Sequence, residues 1–216
     1  MYSYSINILL NHSIVIAAVI AIIRFKAIIK SFHPFILFIW LGCINETVSL
    51  ILIYSARSNA INSNIYVLFE YGILLFQFYK WNDSPFKKYL FFLLTGIAVW
   101  CADNVIINEL NENNSIFRIF YSFVIAFFSV NQINKIIIYE RRSLVSNAEF
   151  LICITFLGYY SIKAFVEVSN AFHLALSNLF YRELWMILYF VNFLSNIMYA
   201  IAILCIPKKQ EFTLPY

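Results

Sequence analysis

The sequence has few charged residues. Aspartate, glutamate, lysine and arginine together make up 12% of its 216 residues, about half the share that is typical of a soluble domain. Hydrophobic residues make up 62% of the chain and aromatic residues 19%. A soluble core of this size could not bury so much apolar surface, which excludes an ordinary soluble enzyme and a disordered protein. We therefore expect an integral membrane protein.

Glycine, proline and cysteine are also scarce, with four residues of each. No glycine or proline pair breaks an apolar stretch, and this counts against a large alternating-access transporter, whose binding site such breaks often mark. The cysteines are isolated in apolar runs, which predicts small buried side chains rather than disulfides or metal ligands. They are Cys43, Cys101, Cys153 and Cys205. We predict neither a metal nor a cofactor.

Seven apolar stretches are long enough to cross a bilayer core, which needs about 20 residues of helix and tolerates about 17. They cover residues 6–23, 34–54, 65–80, 89–107, 116–139, 150–167 and 184–206. The connecting loops are too short to hold a soluble domain. The sequence therefore predicts an all-α bundle of seven transmembrane helices, forming one domain over residues 1–216.

The basic residues predict the orientation of this bundle. Eleven of the fifteen lysines and arginines fall in alternate loops and the tail, and such residues concentrate on the cytoplasmic side. They are Arg24, Lys26, Lys30, Lys80, Lys87, Lys88, Lys135, Arg141, Arg142, Lys208 and Lys209. The N-terminus is then outside, the C-terminus is cytoplasmic, and the protein is a multi-pass protein of the inner (plasma) membrane. Anionic lipid accounts for the basic loops, and no feature indicates nucleic-acid binding.

Polar side chains inside the predicted helices are the most informative feature, because an ionisable group there costs about 2.5–3.5 kcal/mol on insertion scales. Those with a charge lie mainly in the outer half, which predicts a polar chamber that opens outward above an apolar floor. Glu46 is the strongest candidate because it lies deepest, roughly 12 Å below the outer end of the second helix. The predicted ligand-binding residues are Glu46, Glu70, Asn45, Asp103, Arg118, Lys163, Asn192, Asn196 and His12.

Each of these residues also has a purely structural interpretation. Polar stripes in membrane bundles are more often hydrogen bonds between helices than ligand contacts. Lys163 and Glu167, four residues apart, are spaced to pair with each other. Asp103, Arg118, Lys163 and Glu167 lie near enough to the interface to snorkel. The pattern leaves open whether Glu46 and Glu70 face each other or face the two basic side chains. The predicted ligand-binding residues include three acids and two bases, a balance that suits a cationic ligand or an amine but also one protonated acid.

Several seven-helix families are excluded by residues that they require. The seventh helix has no lysine for a retinal Schiff base, and the third ends without an acidic-Arg-Tyr signature. One histidine within a span is too few for a membrane zinc hydrolase. Glu46, the pair Phe69-Glu70 and Arg118 resemble a pattern of small bacterial inner-membrane proteins. That resemblance implies seven helices and a bacterial membrane, and it brings no activity with it.

Four functions are compatible with the pattern. The first, which we favour, is a membrane-embedded binding or sensing module for a small polar or cationic ligand. A protein partner in the membrane would transmit its signal. The second is a small-solute or proton-coupled transporter. The third is a structural subunit of a larger membrane complex. The fourth, a lipid-directed enzyme, has no nucleophile elbow, metal set or phosphate loop to support it, so we expect no enzymatic activity.

Overall fold

The computed structural model describes residues 10–55, 57–82, 85–112, 114–139, 143–172 and 178–208. The predicted span residues 6–9 and the loop or tail residues Arg141, Arg142 and Lys209 lie outside this part. The described chain is helical and contains no β-strand, which confirms the all-α class. Its helices are α1 (Ile14–Arg24), α2 (His33–Tyr54), α3 (Ala60–Trp81), α4 (Phe86–Cys101), α5 (Ile116–Tyr139), α6 (Ala148–Ala171) and α7 (Asn178–Cys205).

Six of these helices form a closed ring. Going round the ring, α1 packs against α2, α2 against α3, α3 against α5, α5 against α6, α6 against α7, and α7 back against α1. The remaining helix, α4, packs against α3 and α5 from outside the ring. Side chains that point into the ring can therefore meet from six helices, and α4 is not one of them.

Five helices in the described part of the chain are long and apolar enough to cross a membrane. They are Lys30–Tyr54, Phe86–Ile107, Ile116–Tyr139, Ala148–Ala171 and Leu179–Cys205. The second of these continues α4 through a π-helical segment, Ala102–Ile107. Of the other two helices, α3 has 22 residues but carries several amide and charged side chains, and the described part of α1 has 11.

The outer surface of the bundle is apolar. Large hydrophobic side chains are exposed on every helix, among them Ile23, Phe91 and Ile138. A soluble protein rarely leaves so large an apolar surface in water. The prediction that the cysteines are buried is right for Cys153 but wrong for Cys101, which is exposed because it lies on the outer helix α4.

The interior of the ring is filled with aromatic rings at the end where α2 begins and α3 ends. We call this layer the aromatic floor. It consists of Phe35, Phe38, Phe78, Phe156 and Tyr199, all buried. Phe156 lies at its centre, with its ring centroid 5.7 Å from those of Phe38 and Tyr199 and 6.2 Å from that of Phe78. Edge-to-face contacts at these separations pack the aromatic side chains tightly across the interior of the helix ring.

Buried polar side chains fasten the ends of the helices beside this floor. Gln77 of α3 has no exposed surface; its Oε1 accepts from the Phe35 amide at 2.7 Å, and its Nε2 donates to the Ser31 carbonyl at 2.8 Å. It thus satisfies backbone groups where α2 begins. At the end of α7, the guanidinium of Arg24 donates to the carbonyls of Ile203, at 2.7 Å, and of Leu204. This contact joins α1 to α7 and completes the ring.

Gly96 is where α4 comes closest to α3. A Cβ at this position would lie 2.2 Å from Cε1 of Tyr71, whose hydroxyl donates to the Phe92 carbonyl at 2.5 Å. The Tyr71 ring cannot move aside freely, because it packs against Phe117 and other rings of α5. We expect Gly96→Ala to lower the free energy of unfolding by about 1–3 kcal/mol, the usual cost of overpacking. Detergent-solubilised protein titrated with a denaturing detergent measures this.

Gly158→Ala is the matched control for that substitution. Gly158 lies within α6, and a Cβ there would have no heavy atom within 4 Å. The added methyl group is expected to leave stability unchanged or to raise it by up to about 1 kcal/mol, since alanine favours helix over glycine. Equal losses at both positions would contradict the close approach of α4 to Tyr71.

Candidate functional site

The ring encloses a polar cavity above the aromatic floor. It has an outer compartment of about 310 Å³, bordered by the end of α2 and the starts of α3 and α7. Below it, towards the floor, lies an inner compartment of about 70 Å³, which reaches Phe38 and Tyr199. The residues that border both compartments are Asn11, Glu46, Tyr66, Tyr159, Lys163 and Asn192. A cavity of this kind between the helices of a bundle is a common place for a small-molecule site.

Polar and aromatic side chains at helical spacing on α2 and α7 line this cavity. The face of α2 contributes Gly42, Asn45, Glu46 and Ser49, and the face of α7 contributes Trp185, Tyr189, Asn192, Asn196 and Tyr199. Residues three and four apart lie on one side of a helix, so each set points into the ring as a continuous stripe. Gly96, Trp100 and Asp103 have the same spacing on α4 and its π-helical continuation, but they do not line the cavity, because α4 packs outside the ring.

Glu70 and Lys163 form a buried cluster with tyrosines at the inner compartment. The Tyr160 hydroxyl donates to Glu70 Oε1 at 2.6 Å, and the Tyr121 hydroxyl donates to Oε2 at 3.1 Å. Lys163 Nζ lies 3.9 Å from Oε2 and hydrogen-bonds the Tyr121 hydroxyl. The same ammonium lies over three ring faces, 4.9 Å from the centroid of Tyr121 and 5.5 Å from that of Tyr159. Both oxygens of Glu70 and the charge of Lys163 are thus compensated within the protein.

Arg118 and Glu167 form a second cluster at the outer compartment. Arg118 Nη1 lies 3.7 Å from Glu167 Oε1, and the Ser115 hydroxyl donates to Glu167 Oε2 at 2.6 Å. The other guanidinium nitrogens of Arg118 donate to Ser63 Oγ at 2.9 Å, to Asn64 Oδ1 at 3.0 Å and to the Asn114 carbonyl at 2.9 Å. These contacts tie α3, α5 and α6 together around one side chain.

These two clusters correct two of the structural interpretations drawn from sequence spacing. Lys163 and Glu167 do not pair along α6; each binds a partner on another helix. Nor do the charged groups snorkel: Asp103 has no exposed surface, and Arg118 and Glu167 are 7% and 2% exposed. The closed ring provides partners for these groups inside the protein, so they have no reason to extend to the interface.

Glu46 differs from the other two glutamates of the cavity. It lines both compartments, and none of the ion pairs formed by the described residues includes it. His12 lies within electrostatic reach of its carboxyl group but does not line the cavity. Three glutamates and two basic side chains line the two compartments together. Since Glu70 and Glu167 have basic partners, Glu46 is the carboxyl group of this cavity that has no lysine or arginine partner among the described residues.

The predicted asparagines are held by hydrogen bonds at the wall of the cavity. Asn45 Oδ1 accepts from Asn62 of α3 at 2.9 Å. Asn192 donates to Asn11 Oδ1 at 3.2 Å, and Asn196 donates to Ser13 Oγ at 2.9 Å. The last two bonds run from α7 to the start of α1 and use the amide nitrogens. The carbonyl oxygens of both side chains therefore remain as acceptors.

Asp103 lies apart from the cavity. Its Oδ1 accepts from Asn108 at 2.8 Å, and its Oδ2 accepts from the Phe117 amide in the first turn of α5 at 2.8 Å. A carboxylate at the start of a helix satisfies an unpaired amide there and interacts well with the helix dipole. In the described structure, Asp103 joins the π-helical segment to α5, close to Arg118.

The sequence prediction missed three aromatic residues of the site. Tyr121 and Tyr159 surround the Lys163 ammonium, and Tyr66 borders both compartments. Tyrosines are frequent in this chain, so their type alone carries no signal. Helical spacing does carry a signal. Tyr121 lies three residues after Arg118, and Tyr159 lies four residues before Lys163, so each tyrosine shares a helix face with a charged residue.

No family model, curated protein or solved structure matches this chain. The function is therefore inferred from the residues of the cavity.

Proposed function

We propose that the protein spans the bacterial inner membrane seven times, with its N-terminus outside and its C-terminus in the cytoplasm. Five helices of sufficient length and apolarity support this. The ring adds support. Its members α1 and α3 pack beside four helices that are long and apolar enough to cross a membrane. The basic side chains of Arg24, Lys80 and Lys135 lie at the floor end of the bundle, which is then cytoplasmic. The cavity opens at the other end, towards the outside.

In this membrane the protein binds or senses a small polar or cationic ligand that enters from the outer side. The observation that carries the proposal is Glu46, a carboxylate that lines a cavity of about 310 Å³ and has no lysine or arginine partner among the described residues. A charged group inside a membrane protein is costly to bury, and it is a candidate functional group by default. The loops on the cytoplasmic side are too short to hold a catalytic domain, so we expect a protein partner in the membrane to transmit the signal.

The aromatic floor favours binding over transport. A transported solute would have to pass through the centre of the ring, which Phe156 and its neighbours fill. Helices interrupted by glycine and proline, which allow such a core to rearrange, are lacking in this chain. Purified protein in liposomes is therefore expected to bind solutes without moving them across the bilayer.

Glu46→Gln tests the role of the unpaired carboxylate. It keeps the shape of the side chain and removes the charge, so we expect the ligand-free variant to be at least as stable as the wild type, because no ion pair is lost. Stabilisation by ligand should be lost in the same variant, since a ligand that binds the folded state raises its melting temperature by mass action. Thermal shift of the detergent-purified protein against a panel of small solutes measures both effects.

Two control variants accompany this screen. Glu183→Gln removes an exposed carboxylate that pairs with Arg182 at 3.9 Å, and it should behave as wild type throughout. Glu70→Gln removes the partner of Lys163 and should melt earlier with or without solute. If no solute stabilises the wild type and Glu46→Gln also melts earlier, the proposal fails. The carboxylate is then part of the packing of a structural subunit.

A further inference from the structure

We infer that the ligand is a primary organic ammonium ion whose charged head lies in the inner compartment, beside Glu46. This inference rests on the proposed function, because it assigns a chemical class to the ligand of the same cavity. Three properties of the site carry it: a carboxyl group without a lysine or arginine partner among the described residues, several hydrogen-bond acceptors, and aromatic walls.

The charge of the site selects a cation. Lys163 is compensated by Glu70 and the tyrosine rings, and Arg118 by Glu167 and neutral acceptors. An anionic ligand would have to break one of these clusters to gain a partner. A single positive charge, by contrast, can pair with the carboxylate of Glu46 and leave both clusters intact.

The acceptors of the inner compartment suit a primary ammonium group, which has three N–H donors and no acceptor. Glu46, Asn192 and Asn196, which all carry oxygen acceptors, border this compartment. Each asparagine amide nitrogen donates one hydrogen bond to the segment that leads into α1, and the carbonyl oxygen of each side chain remains able to accept from the ligand. A quaternary ammonium ion has no N–H group to satisfy them, and its methyl groups make it larger than a compartment of about 70 Å³ accepts easily.

Aromatic side chains in the walls of the cavity offer ring faces to the ammonium group of the ligand and to its apolar tail. Tyr159 already stabilises the ammonium of Lys163, 5.5 Å from its ring centroid, and it also borders the cavity with Tyr66. Cations are attracted to such faces within about 6 Å. In the outer compartment, Trp185 and Tyr189 lie with their ring centroids 6.2 Å apart and border the space for the rest of the molecule.

Phenethylammonium is the first probe, compared with phenethyl alcohol, which lacks the charge, and with trimethylphenethylammonium, which lacks the N–H donors. Calorimetry or thermal shift on detergent-purified protein gives the affinities. We expect phenethylammonium to bind most tightly and Glu46→Gln to weaken it about thirtyfold or more, as for a buried ion pair that loses one partner. Glu46→Asp keeps the charge and should retain part of the affinity, while Glu183→Gln should retain all of it.

Three results would overturn the inference. Equal affinity of phenethylammonium for the wild type and Glu46→Gln would place the cation elsewhere. Tighter binding of the alcohol or of the trimethylated probe would reject the primary ammonium and leave the cavity as a binding site for another ligand class. If none of the three probes, nor any solute of the wider screen, stabilises the wild type, the proposed function fails together with the ligand class.

Discussion

Arg118→Met is expected to lower the free energy of unfolding by about 3–5 kcal/mol, the usual cost of removing one partner of a buried ion pair. Arg118 is 7% exposed and binds Glu167, Ser63 and Asn64, so the variant loses contacts to two other helices at once. It also leaves the carboxylate of Glu167 buried without a cation. Unfolding in a denaturing detergent, followed by the loss of tertiary structure, measures the change.

The double variant Arg118→Met with Glu167→Gln tests the cause of that loss. If the orphaned carboxylate accounts for most of the cost, removing it should restore part of the stability, and the double variant should lie above the single one. Arg182→Met removes an exposed arginine whose side chain is 70% exposed and should change stability by less than about 1 kcal/mol. An Arg118→Met variant as stable as Arg182→Met would show that Arg118 does not hold the ring.

Five helices of this fold are predictable from the sequence because each is a long apolar run bounded by polar loops. The apolar stretch 116–139, for example, coincides with α5. Which helices meet is not encoded in that pattern. The sequence gives no sign that α4 lies outside the ring, and for this reason its polar face, with Asp103, was assigned to a chamber that it does not reach.

Helical spacing in the sequence predicts the two polar stripes on α2 and α7 that line the cavity. It does not predict which charged side chains form ion pairs. Helical spacing correctly grouped the polar residues of α2 and of α7, since every member of each stripe faces the same interior. The partners of Lys163 and Glu167, however, come from α3 and α5 and are decided by the packing of the ring. Polar residues at helical spacing can also be satisfied within their own helix: on α5, Ser122 and Ser129 donate to carbonyls four residues earlier.

Phe156→Ala is the second substitution with a large expected effect, because it removes the centre of the aromatic floor. Phe156 has no exposed surface and contacts rings from α2, α3 and α7. In soluble cores this change costs about 3–5 kcal/mol, part of it from the cavity that is left. The loss here should lie at or below that range, since in a membrane the unfolded helices keep the side chain in lipid and only the packing term is lost.

Phe165→Ala on the same helix separates packing from hydrophobicity. Phe165 is 53% exposed on the outer surface of α6, so its removal should leave the free energy of unfolding nearly unchanged. The same pair of variants also tests the closed floor. If the floor prevents passage, solutes should remain trapped in liposomes that carry the wild type or Phe165→Ala, and any leak should appear first with Phe156→Ala. A wild type that releases solutes as fast as Phe156→Ala would instead support a transporter, with the floor as a barrier that opens during its cycle.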